Sequence, residues 1–314
     1  MNIEILRAEN KARFVLMNAG NVMVSISGGA DSDCMLDLIM RINNELCAKG
    51  IGANILPVFF DTGLEYDATR QHINYLEQRY NITIERVKAY KSIPYSVKKY
   101  GVPFWSKRVS DMIERLQKHN FNFSTSKNIE WETLWKQYPK SKAAIRWFCS
   151  DFPTQSVNIS YIRGLYDYLC EYPPEFKISA KCCEYAKKKT AKQYALDHNI
   201  DTVCTGVRRA EGGTRATAYK TCFDSDGITS NFRPLFWFIN TDRIEYEKQY
   251  GIIHSKCYTE YGLKRTGCVG CPFARDFEHE IKIIHDFEPQ LYTACENLFG
   301  CSYEYRREFL KYRK

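Results

Sequence analysis

The spacing of apolar and polar residues in the first third of the chain predicts strands that alternate with helices. Short apolar, β-rich runs predict strands at 22–27, 53–60 and 82–87. Apolar residues that recur at helical spacing predict helices at 31–48 and 66–80, and Gly50 and Gly52 end the first of these helices. This β-α-β-α-β order predicts an α/β protein with an open, mostly parallel sheet and helices on both faces.

The pattern changes between residues 91 and 174 and then resumes. This middle stretch is rich in basic residues and contains Trp105, Trp131, Trp135 and Trp147, and we expect it to be a mostly helical insertion. A helix is predicted from Cys182 to His198, a strand at 200–205 and a helix near 241–250. We therefore expect a main domain at 1–235 that carries the insertion, and a C-terminal region at 236–314.

Composition narrows the class of protein. None of the apolar runs in the 314 residues approaches the roughly 18 residues that a membrane-spanning helix needs. The first residues mix charged and apolar side chains and do not resemble a signal peptide, so we expect a cytoplasmic protein with no membrane partner. The net charge of +8 fits an anionic substrate, either a nucleotide or a nucleic acid.

One lysine-rich stretch concentrates the positive charge. Two interpretations stay open for it: a solvated helix face, or a surface that binds nucleic acid. The lysines are Lys177, Lys181, Lys187, Lys188, Lys189 and Lys192.

The turn after the first strand has the composition of a phosphate-binding loop. Its residues are Ser27, Gly28, Gly29, Ala30, Asp31 and Ser32. Glycines allow the backbone to approach a phosphate, and the helix that follows favours an anion at its N-terminus. We expect the two serines to add hydroxyl donors and Asp31 to cap the helix or to place a metal ion. The loop matches neither G-x-x-x-x-G-K-S/T nor G-x-G-x-x-G.

A second turn, Asp61, Thr62 and Gly63, follows the next strand. Ligands of open parallel sheets bind at the carboxyl ends of the strands, so this turn is expected beside the first loop. Asp61 is a candidate acceptor for a ribose hydroxyl or the adenine amino group, and an ordinary β-turn is the alternative interpretation.

Five of the thirteen cysteines stand in contexts that suit metal binding. Thiolates at such spacing suit iron–sulfur clusters or zinc, and a disulfide framework is not expected in a reducing compartment. The five are the adjacent pair Cys182 and Cys183, the CxxC pair Cys268 and Cys271, and Cys257 upstream of that pair.

A polar loop after the strand at 200–205 carries three arginines: Arg208, Arg209 and Arg215. Arginine side chains bind phosphate or sulfate through two parallel hydrogen bonds. We expect this loop, which begins at Gly206, to face the same cleft as the glycine loop. A solvated basic loop is the alternative.

Taken together, these motifs resemble the phosphoadenylyl-sulfate and adenylyl-sulfate reductase family of the PP-loop superfamily. Residues 27–32 resemble its SGGxDS pyrophosphate loop, and Asp61, Thr62 and Gly63 resemble its second nucleotide turn. Residues 205–209 with 214–216 resemble its TGxRR…TRA element. Cys182 and Cys183 with the CxxC resemble the ligands of a 4Fe-4S cluster in the iron–sulfur branch. The resemblance implies a PP-loop, HUP-like fold with a nucleotide-binding domain.

Two departures from the family pattern affect the implied chemistry. The family's reductases attack sulfate with a cysteine in an ECGxH-like C-terminal element, whereas this sequence ends in CSYEYRREFLKYRK. In addition, Cys257 with Cys268, Cys271 and one upstream cysteine is similar to the cluster of DNA phosphorothioation enzymes in the same superfamily. We expect four of the five cysteines to bind a cluster, and zinc is the alternative metal.

The resemblance implies an enzyme of sulfur transfer that binds ATP or adenylyl sulfate, with magnesium as a candidate ion. Asp31, Arg208, Arg209 and Arg215 are then the expected catalytic residues. One version reduces adenylyl sulfate; the alternative activates DNA or tRNA with ATP for thiolation. A nucleotide or redox sensor without turnover is a further alternative. A sulfur donor or redox protein is an expected partner, and the oligomeric state, homo-oligomers included, is left open.

Overall fold

The computed structural model describes residues 2–212, 218–225, 227 and 229–314. Its strands are β1 (Asn21–Ile26), β2 (Asn54–Asp61), β3 (Glu85–Lys88), β4 (Thr202–Thr205), β5 (Phe223–Ser225) and β6 (Ser230–Phe232). Its helices are α1 (Ile3–Met17), α2 (Ala30–Cys47), α3 (Asp67–Tyr80), α4 (Ile93–Tyr100), α5 (Lys107–Gln117), α6 (Trp131–Gln137), α7 (Lys142–Phe148), α8 (Leu165–Glu171), α9 (Lys181–Cys183), α10 (Thr190–Asp197), α11 (Asn240–Tyr250), α12 (Lys256–Thr259), α13 (Phe277–Phe287) and α14 (Pro289–Tyr312).

The strands form one sheet in the order β3-β2-β1-β4-β6-β5. All neighbouring strands are parallel except β5, which pairs with β6 in the antiparallel sense at one edge. The sequence-based expectation of an open, mostly parallel sheet is confirmed. The antiparallel edge was not predicted, because three-residue strands leave little periodic signal in a sequence.

Side chains of β1 alternate between the two faces of this sheet. Val22, Val24 and Ile26 are buried in a core built with α1, α2 and α3, whereas Met23 is buried on the other side with Tyr194 and Ala195 of α10. This alternation follows from the two-residue period of a strand. Helices on both faces are therefore confirmed, and the carboxyl ends of the strands remain accessible to loops.

The contacts within the chain divide it into two compact units. The first unit comprises Met1–Tyr90 and Ala186–Cys268 and contains the sheet. The second comprises Lys91–Tyr185 and Val269–Lys314. The borders of these units differ from the domain border that we expect near residue 235. The division into domains at 1–235 and 236–314 stays a prediction.

The second unit is helical in its described secondary structure. Its core is rich in aromatic side chains, with Trp147 and Phe148 of α7, Tyr168 of α8 and Phe309 of α14 among the buried residues. Helical character of the stretch 91–174 was expected and is confirmed. Among the described residues, none of the helices is both long and apolar enough to cross a membrane.

A π-helical segment, Glu184–Lys189, lies between α9 and α10. The predicted helix 182–198 is thus present, but its hydrogen-bond pattern changes directly after Cys182 and Cys183. Segments of π-helix are rare and occur frequently at functional sites.

Candidate functional site

The glycine turn connects β1 to α2 at the carboxyl end of the sheet. Gly28 has a φ of +66°, and a Cβ atom at this position would lie 2.7 Å from Cγ2 of Thr69 in α3. Gly29 is the N-cap residue of α2. Both a left-handed backbone and a close neighbour therefore require glycine at position 28.

The hydroxyl of Ser32 is used inside the turn. It accepts a hydrogen bond from the Ser27 amide at 3.2 Å and donates one to the Gly29 carbonyl at 3.0 Å, and its side chain is buried. Ser32 thus fixes the shape of the loop, whereas the Ser27 side chain is exposed. Of the two serines named from the sequence, Ser27 is therefore the one with an exposed side chain.

Two hydroxyls that the sequence analysis missed lie at the start of α2. The Ala30 amide donates a hydrogen bond to the Tyr258 hydroxyl at 3.1 Å, and the same oxygen accepts from the Thr266 amide at 3.3 Å. The two hydroxyl oxygens are 3.1 Å apart. Their distance from the loop in sequence left no local signal, and only their proximity to the cysteine motif marked this region as functional.

Asp31 forms an ion pair beside the loop with Arg208, whose side chain is buried, whereas that of Asp31 is partly exposed. Arg208 Nε donates to Asp31 Oδ1 at 2.7 Å, and the same guanidinium donates to Asn240 Oδ1 at 3.2 Å. Burial raises the pKa of Asp31, an effect that Arg208 and Arg243 only partly oppose. Arg208 was expected to bind an anionic substrate, but its contacts here are with the protein itself.

The end of β4 packs directly on the glycine loop. A Cβ atom at Gly206 would lie 2.8 Å from the Asp31 carbonyl oxygen and 2.9 Å from the Ser32 amide nitrogen. Arg209 is exposed, and its guanidinium lies 5.6 Å from the centre of the Trp237 ring. The third arginine, Arg215, lies outside the described residues, as do Thr214 and Ala216.

Hydrogen bonds with nearby side chains fix the conformation of the second turn, Asp61, Thr62 and Gly63. Arg70 donates two hydrogen bonds to the carboxylate of Asp61, at 2.9 and 3.2 Å, and the Gly63 amide donates to Asp61 Oδ1 at 2.8 Å. The Thr62 hydroxyl donates to Glu65. Burial raises the pKa of Glu65, with Lys187 acting in the opposite direction. Because β2 pairs with β1, this turn follows the strand next to the one that leads into the glycine loop.

A network of buried and partly buried titratable side chains includes Asp33 in the first turn of α2. Asp33 Oδ2 is 3.0 Å from His72 Nε2 and 2.8 Å from His254 Nδ1, and His254 Nε2 is 3.0 Å from Glu247 Oε1. Burial opposes the charged imidazole, but the two carboxylates outweigh it and raise the pKa of His254 to about 9. This network was not predicted from the sequence, because its members come from three separate helices and one loop.

The five cysteines differ in their surroundings. Cys257 in α12 is fully buried, and its Sγ lies 3.7 Å from the Thr69 hydroxyl, so that Thr69 contacts both Cys257 and the glycine loop. Cys257 and Cys268 belong to the first unit; Cys182, Cys183 and Cys271 belong to the second. Among the described residues, we find no group of three or more His, Cys, Asp or Glu side chains that could hold a metal ion. The thiols themselves have the donor chemistry that iron–sulfur clusters require.

Helix α14 holds the backbone that follows Cys268. The Tyr303 hydroxyl donates to the Gly270 carbonyl, and the Arg306 guanidinium donates to the carbonyls of Pro272 and Ala274 at 2.7 and 2.9 Å. Gly270 has a φ of +59°, where a Cβ atom would lie 2.7 Å from the Tyr303 hydroxyl oxygen. The loop between the CxxC cysteines is therefore fixed by packing as well as by its glycine.

A glycine turn joins the parallel strand β1 to helix α2, and Gly206, which follows the neighbouring strand β4, packs against this turn. These features define an α/β protein with a glycine turn at the carboxyl end of an open, mostly parallel sheet. The sequence model of the phosphoadenosine phosphosulfate reductase domain matches residues 21–126 and 167–274. This match covers more than half of the chain, and the protein belongs to that family.

The match to an individual protein covers less of the chain than the family model does. Over 82 residues the chain is 38% identical to an uncharacterized protein of Methanocaldococcus jannaschii, a match that covers 26% of this chain and 15% of that protein. The chain therefore spans a small part of this relative's length.

Two solved structures resemble the fold at low similarity. Phosphoadenylyl-sulfate reductase from Candida auris, in a phosphate complex, gives a TM-score of 0.43 at 13% identity over 83% of this chain and 87% of that one. The U34-tRNA thiolase NcsA from Methanococcus maripaludis, with its 4Fe-4S cluster, gives a TM-score of 0.40 at 13% identity over 98% and 78%.

Proposed function

We propose that the protein is an enzyme of sulfur transfer that binds the phosphates of an adenine nucleotide, ATP or adenylyl sulfate, at residues 27–32. The observation that carries this proposal is the first turn of α2, where Gly28 and Gly29 precede the backbone amide of Ala30, which donates to the Tyr258 hydroxyl instead of to a backbone carbonyl. Such amides and the helix dipole favour a phosphate group. Membership of the phosphoadenosine phosphosulfate reductase domain family supports the choice of nucleotide.

The residues around the loop divide the work of binding. The loop amides and Ser27 bind the phosphates, and Gly206 allows the end of β4 to approach them. Asp31 supplies a carboxylate, the oxygen ligand that magnesium prefers. The exposed Arg209, together with Arg215, neutralises the sulfate or other anionic group, because Arg208 is already paired with Asp31.

Asp61 is proposed to bind the nucleoside. Its two hydrogen bonds from Arg70 fix the orientation of the carboxylate. A fixed carboxylate accepts hydrogen bonds from ribose hydroxyls or from the adenine amino group. This role places the nucleoside over the end of β2 and its phosphates over the end of β1.

We also propose a 4Fe-4S cluster held by four thiolates from among Cys182, Cys183, Cys257, Cys268 and Cys271. Their donor chemistry supports this assignment. When bound, the cluster would supply electrons or sulfur to the reaction. The chain's own contribution is to hold the ligands in place, through Thr69 beside Cys257 and through α14 beside the CxxC loop.

The experiment compares two reactions of the anaerobically purified protein. Pyrophosphate release from ATP, measured with DNA or tRNA present, reports the activating reaction; thiol-dependent sulfite release from adenylyl sulfate reports the reductase reaction. We expect turnover in one assay, and its loss in Gly28→Val, whose side chain meets Thr69. Gly300→Ala in α14 is the matched control, since a Cβ atom there would lie 3.7 Å from Oε2 of Glu296, an ordinary contact distance.

Each outcome selects between the candidate functions. Sulfite release would exclude thiolation, and nucleic-acid-dependent pyrophosphate release would exclude the reductase reaction. Binding of ATP with no turnover in either assay would contradict an enzyme and favour a nucleotide sensor.

ATP-dependent thiolation of DNA or tRNA is a second candidate that one observation favours. Lys187, Lys188 and Lys189 are exposed on the π-helical segment, and Lys192 is exposed one turn further on. A cluster of exposed lysines suits a phosphate backbone, and its binding would weaken steeply with salt. In the assay above, this candidate requires that pyrophosphate release depend on nucleic acid and fall as salt rises.

A further inference from the structure

The site where a phosphate is expected already contains protein oxygen atoms. A helix begins with amides that have no partner within the helix, and a phosphate oxygen normally accepts from them. Here the Ala30 amide donates to the Tyr258 hydroxyl at 3.1 Å. The phenol oxygen therefore stands in the position of a ligand oxygen.

Thr266 completes this arrangement. Its amide donates to the Tyr258 oxygen at 3.3 Å, and its own hydroxyl lies 3.1 Å from that oxygen. A Cβ atom at Gly29 would lie 3.0 Å from the Thr266 hydroxyl and 3.3 Å from the Tyr258 hydroxyl. Because Gly29 has no side chain, a phosphate could approach its backbone on this side. The two hydroxyls occupy that space instead.

The two residues belong to one short segment with its own internal hydrogen bonds. Tyr258 lies in α12, and the Leu263 amide donates to the Cys257 carbonyl at 2.9 Å, which closes the turn between them. Tyr258 follows Cys257 directly, and Thr266 precedes Cys268 by two residues. Any movement of these hydroxyls therefore moves backbone next to two of the cysteines.

We propose that Tyr258 and Thr266 form a latch that competes with the nucleotide's phosphates for the loop and so determines phosphate affinity. This inference rests on the proposed function of the loop. A phosphate oxygen is charged and accepts a stronger hydrogen bond than a phenol, so the ligand displaces the latch. Displacement releases the segment 255–268, which transmits nucleotide binding to Cys257 and Cys268.

The test uses inorganic pyrophosphate as the probe and the complete, anaerobically purified protein. Tyr258→Phe removes the competing oxygen and leaves the Ala30 amide ready for an anion. We expect its dissociation constant for pyrophosphate, measured by calorimetry, to fall roughly 3- to 10-fold, the effect of about one hydrogen bond. Thr266→Val should shift it in the same direction. Tyr250→Phe is the control, because it removes a half-buried hydroxyl that donates to Glu9 instead.

Hydrogen–deuterium exchange supplies a second measurement that is independent of activity. In the wild type, pyrophosphate should slow exchange in the loop 27–32 and speed exchange in the segment 255–268. In Tyr258→Phe the segment should exchange fast before any ligand is added.

The possible results are distinct. Weaker or unchanged pyrophosphate binding in Tyr258→Phe, with binding intact in the wild type, would overturn the latch, because the tyrosine would then be a phosphate ligand or a bystander. Failure of the wild type and of the variant to bind either pyrophosphate or ATP would overturn the proposed function of the loop and the latch with it.

Discussion

The residues next to the glycine loop neutralise one another before any ligand arrives. The buried Arg208 is paired with the partly exposed Asp31, and Arg243 Nε lies 3.8 Å from the same carboxylate. A buried charge is tolerated when it is paired and hydrogen-bonded, and removal of one partner leaves the other unpaired at a large cost. The arginine that the sequence assigned to substrate therefore contributes first to the shape of the site. In the function proposed above, recognition of an anion is therefore assigned to its exposed neighbour Arg209.

At the same scale, His254 makes the stability of the protein depend on pH. Its pKa is raised to about 9, against about 6.5 in an unfolded chain. Its interactions with Asp33 and Glu247 therefore stabilise the fold fully below about pH 6.5, and this contribution is lost as pH rises through about 9. We expect His254→Gln to lose about 2 kcal/mol of unfolding free energy at pH 6 and much less at pH 9.5. Urea unfolding at a series of pH values measures this difference.

A matched control separates this effect from the general titration of the protein. His285 in α13 is exposed, and urea unfolding of His285→Gln at the same pH values gives the comparison. A loss in His254→Gln that is the same at pH 6 and pH 9.5 would contradict a charged His254, because a neutral imidazole loses only hydrogen bonds and packing.

Among the structural elements, the meeting of β4 with the start of α2 fixes the loop. Gly206→Ala would place a methyl group within 3 Å of three backbone atoms, at 2.8 Å from the Asp31 carbonyl oxygen and 2.9 Å from both the Asp31 carbonyl carbon and the Ser32 nitrogen. Backbone cannot rotate away as a side chain can, so the loop has to shift. We expect a loss of about 1–3 kcal/mol in unfolding free energy and at least a tenfold weaker binding of pyrophosphate.

Gly300→Ala provides the comparison for this substitution. Gly300 lies within α14 and has room for a methyl group, so alanine should leave pyrophosphate binding unchanged and raise stability by up to about 1 kcal/mol. Calorimetry and urea unfolding of the two variants give the measurement. Binding by Gly206→Ala as tight as that of the wild type would refute the role given to this contact.

The same elements mark how far the sequence could predict the fold. The helix expected at 31–48 is Ala30–Cys47, and the strand expected at 53–60 is Asn54–Asp61. Both were predictable because long periodic segments flanked by glycines carry a strong local signal.

Helix α1 and the antiparallel pairing of β5 with β6 were not predicted. In α1 the buried side chains recur at helical spacing, but Ile3, Phe14 and Met17 are large, apolar and exposed. Apolar residues therefore occur on both sides of this helix, and the sequence does not show one clear apolar face. The face that packs into the core is defined by contact with α2, which follows only after β1 and the glycine turn.

The site was predictable where its chemistry is local and not where it depends on distant contacts. Residues 27–32 and Gly206 carry short motifs, and the structure brings Gly206 against the loop as expected. Tyr258 and Asp33 carry no motif; their partners lie 228 and 221 residues away in the chain. Short sequence segments do not reveal such pairs, because a tyrosine or histidine that makes a distant contact has no neighbouring residues that distinguish it from any other.

At the scale of the whole molecule, the cysteines are the feature that ties the proposed chemistry to the fold. The anaerobically purified protein should contain about four iron and four sulfide per chain, as expected for a 4Fe-4S cluster. Substitution by serine, one cysteine at a time, should abolish the cluster at four of Cys182, Cys183, Cys257, Cys268 and Cys271 and spare it at the fifth. Cys301→Ser is the control, because Cys301 is exposed on α14 and has no motif context.

Removal of the iron with a chelator should lower the melting temperature, since a metal that binds only the folded chain stabilises it. Visible absorbance, metal analysis and thermal unfolding measure these effects. A colourless protein with bound zinc, or one that keeps its iron in all five variants, would contradict the cluster while leaving the nucleotide site, which is built from other residues, to be judged by its own tests.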